Sequence, residues 1–179
     1  MVTSESQCVV RLTGDEYLIA LHAGCVRRAN AYEKGRTHRY KADPRFNEQM
    51  DMSGAVGEAC VAKFLNVFWM GGDLGSRDVG LAAGGCEVRT KGDRNHRLIL
   101  HPADHDDVPY VSVCVKDGAA LICGWLFGKE GKQEKYWSEP VPGRPAYFVP
   151  NSDLRPAATL KDWHAKLCNQ TIDSFQKIG

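Results

Sequence analysis

The adjacent pair Gly84-Gly85 constrains this chain more than any other feature. Two consecutive glycines reach left-handed backbone angles that other residues avoid, so the chain is expected to reverse direction there. Before the pair lies a short polar-apolar segment carrying Asp78; after it, Cys86, Glu87, Val88, Arg89 and Thr90 follow without interruption. The pattern predicts a β-hairpin. Side chains alternate along a strand, which puts Glu87, Arg89 and Lys91 on one face and Val88 and Thr90 on the other. The hairpin brings the Asp78 carboxylate beside that of Glu87. Two close carboxylates resist joint ionisation unless a cation lies between them, and hard oxygen donors suit a magnesium ion that keeps several waters.

The residues ahead of the hairpin read mainly as helices, after a short strand over 8–12. From Asp15 onward, Leu18, Leu21, Cys25, Ala29 and Tyr32 recur at helical spacing, with Thr13 or Asp15 as the cap and an end near Gly35. Arg27, Arg28, Lys34, Arg36, Arg39, Lys41 and Arg45 crowd into a short span, interleaved with Tyr32, His38, Tyr40 and Phe46. Such a stretch can bind a phosphate backbone and stack on unpaired bases, which makes Arg27, Arg28, Arg36, Arg39 and Lys41 candidate nucleic-acid contacts. A solvated helix face running into a loop is the alternative. Ser53 is expected to cap a second helix that buries Val56, Cys60, Phe64 and Leu65 and leaves Glu58 off that stripe. Val67, Phe68, Trp69 and Met70 read as a buried strand or helix exit, broken at Gly71-Gly72.

The order of these parts, Gly54-Ala55-Val56-Gly57-Glu58 on a helix, then Asp78, a hairpin and Glu87-Val88-Arg89, resembles the PD-(D/E)XK nuclease superfamily, whose signature is an acid, a hairpin and acid-x-lysine. The likeness covers residues 53–115, with weaker echoes as far as 150. It implies an α/β fold, a mixed central β-sheet flanked by helices of the restriction-endonuclease-like kind. It further implies that Asp78, Glu87 and the main-chain carbonyl of Val88 hold a divalent ion, Mg or Mn, with Glu58 serving a second ion or a metal-bound water. The implied reaction is phosphodiester hydrolysis, the implied partner DNA, with RNA left open. One departure stands out: the lysine position is Arg89, which cannot accept a proton but can grip a phosphate with its planar fork. Lys91, further along the same face, is the neighbouring candidate for the lysine's task.

Beyond the hairpin a polar loop over 92–97 leads to Leu98-Ile99-Leu100. His101 and His105 with Asp104, Asp106 and Asp107 suggest a zinc or manganese site, but Pro102 interrupts any shared register and a solvated turn is expected. Residues 110–115 and 120–127 read as strands around a Lys116-Asp117-Gly118 turn, extending the same sheet. Residues 128–137, with Lys129, Lys132, Lys135, Tyr136 and Trp137, read as an exposed loop in preference to a flap over nucleic acid. Ala146-Tyr147-Phe148-Val149, set among prolines, reads as an edge strand. A last helix over 157–168 is expected to bury Leu160, Trp163, His164 and Leu167.

With 179 residues, 43% of them hydrophobic, one domain over 1–179 is expected: a core over 53–150, a helical and basic segment over 13–50, and the helix 157–168. The formal net charge of +1 makes local clustering, not the sum, the relevant quantity for binding a polyanion. Seven scattered cysteines without a C-x-x-C pair read as reduced and mostly buried. No apolar run is long enough to cross a bilayer, and residues 1–7 lack the regions of a signal peptide, so a soluble cytoplasmic protein with no membrane partner is expected. Three functions remain: a metal-dependent endo- or exodeoxyribonuclease, a catalytically inactive nucleic-acid-binding protein on the same fold, and a protein-interaction module that uses the basic segment. Cutting both strands with one site per chain would favour a homodimer. If none of the chemistry holds, Asp78 is a turn residue and Glu87, Arg89 and Lys91 form an exposed strand face of alternating charge.

Overall fold

Thr13 starts the first helix through a reciprocal cap. Its hydroxyl accepts from the Glu16 N–H at 3.3 Å while the Glu16 carboxylate accepts from the Thr13 N–H at 2.6 Å. The computed structural model describes residues 7–35, 47–69, 71 and 83–176. Strand β1 (Cys8–Arg11) leads into this helix, α1 (Gly14–Glu33), which packs along α2 (Asn47–Leu65).

The first helix does not bury the stripe that its spacing predicts. Ala20, Ala23 and Gly24 are buried, whereas Leu18, Cys25, Ala29 and Tyr32 are exposed and Leu21 alone of the predicted set is half-buried. The cause is the closeness of α2: a Cβ at Gly24 would lie 2.6 Å from Met52 Cα, so small residues must face the neighbour. The same contact explains why α2 begins at Asn47 and not at a Ser53 cap. Met52 against Gly24, and Asp51 3.6 Å from Arg28, hold the turn that precedes Ser53. The predicted buried side of α2, Val56, Cys60, Phe64 and Leu65, is found as expected.

After α2, residues 67–69 form the expected helix exit and not a strand, with Val67 and Trp69 half-buried and Phe68 exposed. The Asp78 arm of the expected hairpin lies outside the described residues. Its turn is seen in part, with Gly84 and Gly85 at φ 66° and 87°, and it leads into β2 (Glu87–Lys91). Then come β3 (Leu98–Leu100), β4 (Pro109–Lys116), β5 (Ala119–Phe127), a helical turn α3 (Gly128–Gly131), β6 (Trp137–Ser138), β7 (Ala146–Val149) and α4 (Ala158–Gln176).

The architecture is mixed α/β with two open sheets. The larger has the order β1-β5-β4-β2, antiparallel except where β2 runs parallel to β4; the smaller, β3-β7-β6, is antiparallel throughout. Asp117 and Gly118 take φ of 49° and 70°, the positive angles that a two-residue hairpin turn between β4 and β5 requires. A bulge between Ser112 and Val113 breaks the register of that pair. There the β5 backbone at Gly124 touches the Arg155 carbonyl, and Trp125 exchanges hydrogen bonds of 3.2 and 2.9 Å with Arg155.

Helices cover one face of the larger sheet, where Val111, Val113, Ile122 and Trp125 meet Val56, Cys60, Phe64 and Leu160. The smaller sheet covers part of the other, with Leu98, Leu100 and Val149 on Tyr110 and Leu126. Two expectations change as a result. Ala146–Val149 is the central strand of its sheet, because β3 and β6 pair on either side and the prolines sit outside the ladder. Residues 128–137 are neither loop nor flap: α3 and a 3-10 turn fold back, with Gly131 tight against Leu100. The last helix extends to Gln176; Leu160 is buried, Trp163 and His164 are half-buried, and Leu167 is exposed. All seven cysteines are free; Cys60, Cys86 and Cys123 are buried, but Cys25 and Cys168 are exposed. No helix among the described residues is long and apolar enough to cross a membrane.

Candidate active site

Alternation along β2 sorts its side chains as expected. Thr90 lies under α2, so close that a Cβ at Gly57 would overlap its hydroxyl, and Val88 packs into the main core. Glu87, Arg89 and Lys91 therefore share the opposite side, beside their β4 partners Tyr110, Ser112 and Cys114. Arg89 is the hub: its guanidinium lies 5.1 Å from the centre of the Tyr110 ring, Nη2 donates to Asp104 Oδ1 at 2.9 Å, and Nη1 is 3.9 Å from Glu87 Oε2.

Asp104 belongs to the turn that was expected to be solvated. Asp106 and Asp107 fit that expectation, with side chains 60% and 85% exposed, but Asp104 is only 14% exposed. Its second oxygen accepts from the His101 N–H at 2.9 Å, and Lys132 donates to its main-chain carbonyl at 2.6 Å. The Tyr110 hydroxyl accepts from the His105 N–H at 2.9 Å, which fixes the turn to β4. An aspartate flanked by two other acids in a turn gave no sign of this; the arriving arginine comes from a different strand.

Glu58 approaches from α2. Arg27 on α1 grips it with both ends of its fork, Nη1 to Oε1 at 2.8 Å and Nη2 to Oε2 at 2.6 Å. Arg27 is thus engaged with a carboxylate, and Arg28 lies beside Asp51. Arg36, Arg39 and Lys41, the other expected phosphate contacts, lie outside the described residues, as does Asp78. Lys91 does not join the group. Its ammonium donates to the His96 carbonyl and, at 2.8 Å, to Asn151 Oδ1; along the strand it sits roughly 13 Å from Glu87. Burial lowers its pKa.

The electrostatics centre on Glu87. Burial raises its pKa, Arg89 opposes that, and the Glu58 and Asp104 carboxylates raise it further. Burial likewise pushes the Tyr110 hydroxyl up to about 12, with Asp104 adding to the effect. Arg89 Nε is buried and makes no hydrogen bond among the described residues, a donor of the kind that buried sites ordinarily satisfy. Among the described residues no three His, Cys, Asp or Glu side chains are gathered to hold a metal; Glu58 and Glu87 supply two carboxylates of the hard type that magnesium prefers. The thiols of Cys60 and Cys86 are pushed up to about 11 and about 12, chiefly by burial, and act as apolar packing. No known family model, curated protein or solved structure matches this chain, so the site is defined by the chain's own residues.

Proposed function

We propose that the chain is a metal-dependent nuclease that hydrolyses phosphodiester bonds in DNA, on a restriction-endonuclease-like variant of its mixed sheet. The topology supports this: an acid-bearing strand, β2, is followed by an excursion and a parallel return in β4, with a glutamate-bearing helix packed alongside. The observation that carries the function is the condition of Glu87. Glu87 and Asp104 flank the Arg89 guanidinium, and Glu58, itself paired with Arg27, lies near enough to raise the Glu87 pKa further. A cation bound beside Glu87 would ease the crowding of carboxylates around it. Glu87, the Val88 carbonyl and Glu58, together with Asp78, are the residues that would hold magnesium or manganese. A divalent ion there would offset charge on the phosphoryl oxygens and make a coordinated water more acidic.

The protein's own groups do the rest. Arg89, a third of whose side chain is exposed, offers the accessible end of its fork to a phosphoryl oxygen. Asp104 and the Tyr110 ring hold that guanidinium in place beforehand, so it need not reorganise when substrate arrives. Arg27 fixes the Glu58 carboxylate. Lys91 braces the 92–97 turn against Asn151, which leaves the family lysine's place to Arg89 alone.

The grip of Arg27 on both Glu58 oxygens favours a second reading, a catalytically silent nucleic-acid-binding protein in which a guanidinium stands where an ion would. Plasmid and oligonucleotide cleavage with magnesium, manganese or EDTA, run beside Asp78→Ala and Glu87→Ala, separates the two. Metal-dependent cleavage lost in both variants supports the nuclease. Binding in EDTA with no cleavage in any metal supports the silent binder. Cleavage unchanged in both variants traces the activity to a contaminant and rejects the nuclease.

A further inference from the structure

The uncovered part of the larger sheet carries a second feature. Cross-strand partners share a face, so the row Lys91, Cys114, Leu121, Val9 and the row Lys116, Ala119, Arg11 lie on the same side as Glu87 and Arg89. The smaller sheet packs on this side around Tyr110 and Leu126. Beyond it opens a cleft of about 680 Å³, with Val9, Cys114, Ala119 and Leu121 in its lining together with Arg11, Lys116 and, from the 92–97 turn, Arg94. All three cations are exposed. Among the described residues none of the three side chains has an ion-pair or hydrogen-bond partner, in contrast to Arg27, Arg28, Arg89, Lys129, Lys132 and Arg155. Two acids also line the cleft. Asp93 already accepts from the Asn95 N–H at 2.7 Å, and Asp117 sits at the tip of the β4–β5 turn.

We propose that this cleft is a lane for a nucleic-acid backbone, with Arg11, Lys116 and Arg94 each neutralising one phosphate. The choice of a nucleic acid over another polyanion rests on the nuclease reading; the lane itself rests on the cleft and its unpaired cations. Arg11 and Lys116 stand roughly 10 Å apart across two strand spacings, suited to charges about three nucleotides apart on an extended chain rather than to one compact anion. Lys116 lies six residues along β4 from Tyr110, the partner of Glu87, or roughly 20 Å. At about 3.4 Å per nucleotide of one strand, a substrate reaching from Glu87 to the lane spans about six nucleotides. The 92–97 turn stands between the two places, held down by the Asn151 amide on the Arg94 carbonyl, and the strand passes over it.

The test is binding of a labelled duplex of arbitrary sequence to the full chain in EDTA, by fluorescence anisotropy over a salt series. The double variant Arg11→Ala/Lys116→Ala should flatten the log–log salt slope by about 2 and weaken binding at least about tenfold near physiological salt. Arg94→Ala, on a turn, should flatten the slope by about 1. Circular dichroism and the melting midpoint should match the parent, since all three side chains are exposed. An unchanged slope and affinity in the folded variants overturns the lane, as does displacement of the duplex by poly-glutamate at equal charge concentration. Glu87→Gln serves as the comparison. Slope-dependent binding without cleavage in any metal refutes the nuclease and leaves the lane standing; metal-dependent cleavage with unaltered variant slopes does the reverse.

Discussion

Replacing Arg27 with Met should reveal what its fork does to Glu58. Both guanidinium ends reach the carboxylate, at 2.8 and 2.6 Å, and the two side chains are only 20% and 21% exposed. At that depth water screens the pair incompletely. The attraction is about 4 kcal/mol at an effective dielectric of 20. Part of that offsets the desolvation of two ions, which leaves a coupling of about 2 kcal/mol, above the ~0.2–1 kcal/mol of an exposed pair. A single substitution also strips away the packing of a long stem, so the quantity to measure is the coupling in the cycle of Arg27→Met, Glu58→Gln and the double variant. Urea unfolding in EDTA at fixed salt, followed by tryptophan fluorescence, gives each free energy, and Arg27→Met alone should lower the melting midpoint by about 4–8 °C in a chain of this size. The proposed metal site adds a second expectation. Glu58 released from its guanidinium should bind manganese more tightly by calorimetry, and manganese should restore part of the lost stability by mass action. A coupling below about 0.5 kcal/mol refutes the picture of a half-buried, guanidinium-held carboxylate. No gain in manganese affinity removes Glu58 from the ligand set.

Other perturbations follow from the same geometry. Gly24→Ala should destabilise by about 2–3 kcal/mol because the Met52 backbone fills the space, whereas Gly54→Ala, with nothing within 4 Å of its Cβ, should stabilise by about 0.5–1 kcal/mol; denaturant melts that fail to show opposite signs contradict the packing of α1 on α2. Since burial, then Glu58 and Asp104, raise the Glu87 pKa against the pull of Arg89, the ionised side chain opposes folding above the unfolded carboxyl range and not below it. Glu87→Gln should therefore raise the melting midpoint at neutral pH in EDTA, with the gain shrinking as pH falls toward about 4.3 and vanishing below; an equal gain in acid would show that the charge is not the cause. Asp104→Asn removes the nearer of the two carboxylates beside the Arg89 guanidinium. Cleavage should fall by about 10–100-fold while the salt slope of duplex binding in EDTA stays put; a wild-type rate would take Asp104 out of the site.

What the sequence reveals about this protein is what short-range chemistry decides. The start of α1 at Thr13 or Asp15, the Asp117-Gly118 reversal, the apolar side of α2 and the alternation along β2 each depend on neighbours a few residues away, and each is legible. The face of α1 is not, because its burial is decided by how closely α2 approaches Gly24, and the large residues Leu18 and Tyr32 mislead. The middle position of Ala146–Val149 is hidden for a similar reason: flanking prolines suggest an edge, while pairing on both sides comes from β3 and β6. Of the candidate site residues, Glu58 and Glu87 can be placed on their helix and strand, but the partners that shape them cannot be foreseen. Arg27 looks like one more member of a basic run until its fork is seen on Glu58, and Asp104 looks like Asp106 and Asp107 until Arg89 reaches it.

Because β2 and β4 run parallel, the chain between them must travel back along the sheet, and it does so through β3 and the Asp104 turn. That return path belongs to two bodies at once, since β3 is hydrogen-bonded into the smaller sheet and the Asp104 turn is bonded to Arg89. It acts as a tie-rod. The Trp137–Tyr147 ring pair, with centroids 4.8 Å apart, belongs to that same smaller sheet, so the carboxylate beside Arg89 is anchored partly by strands that contribute no residue to the candidate site.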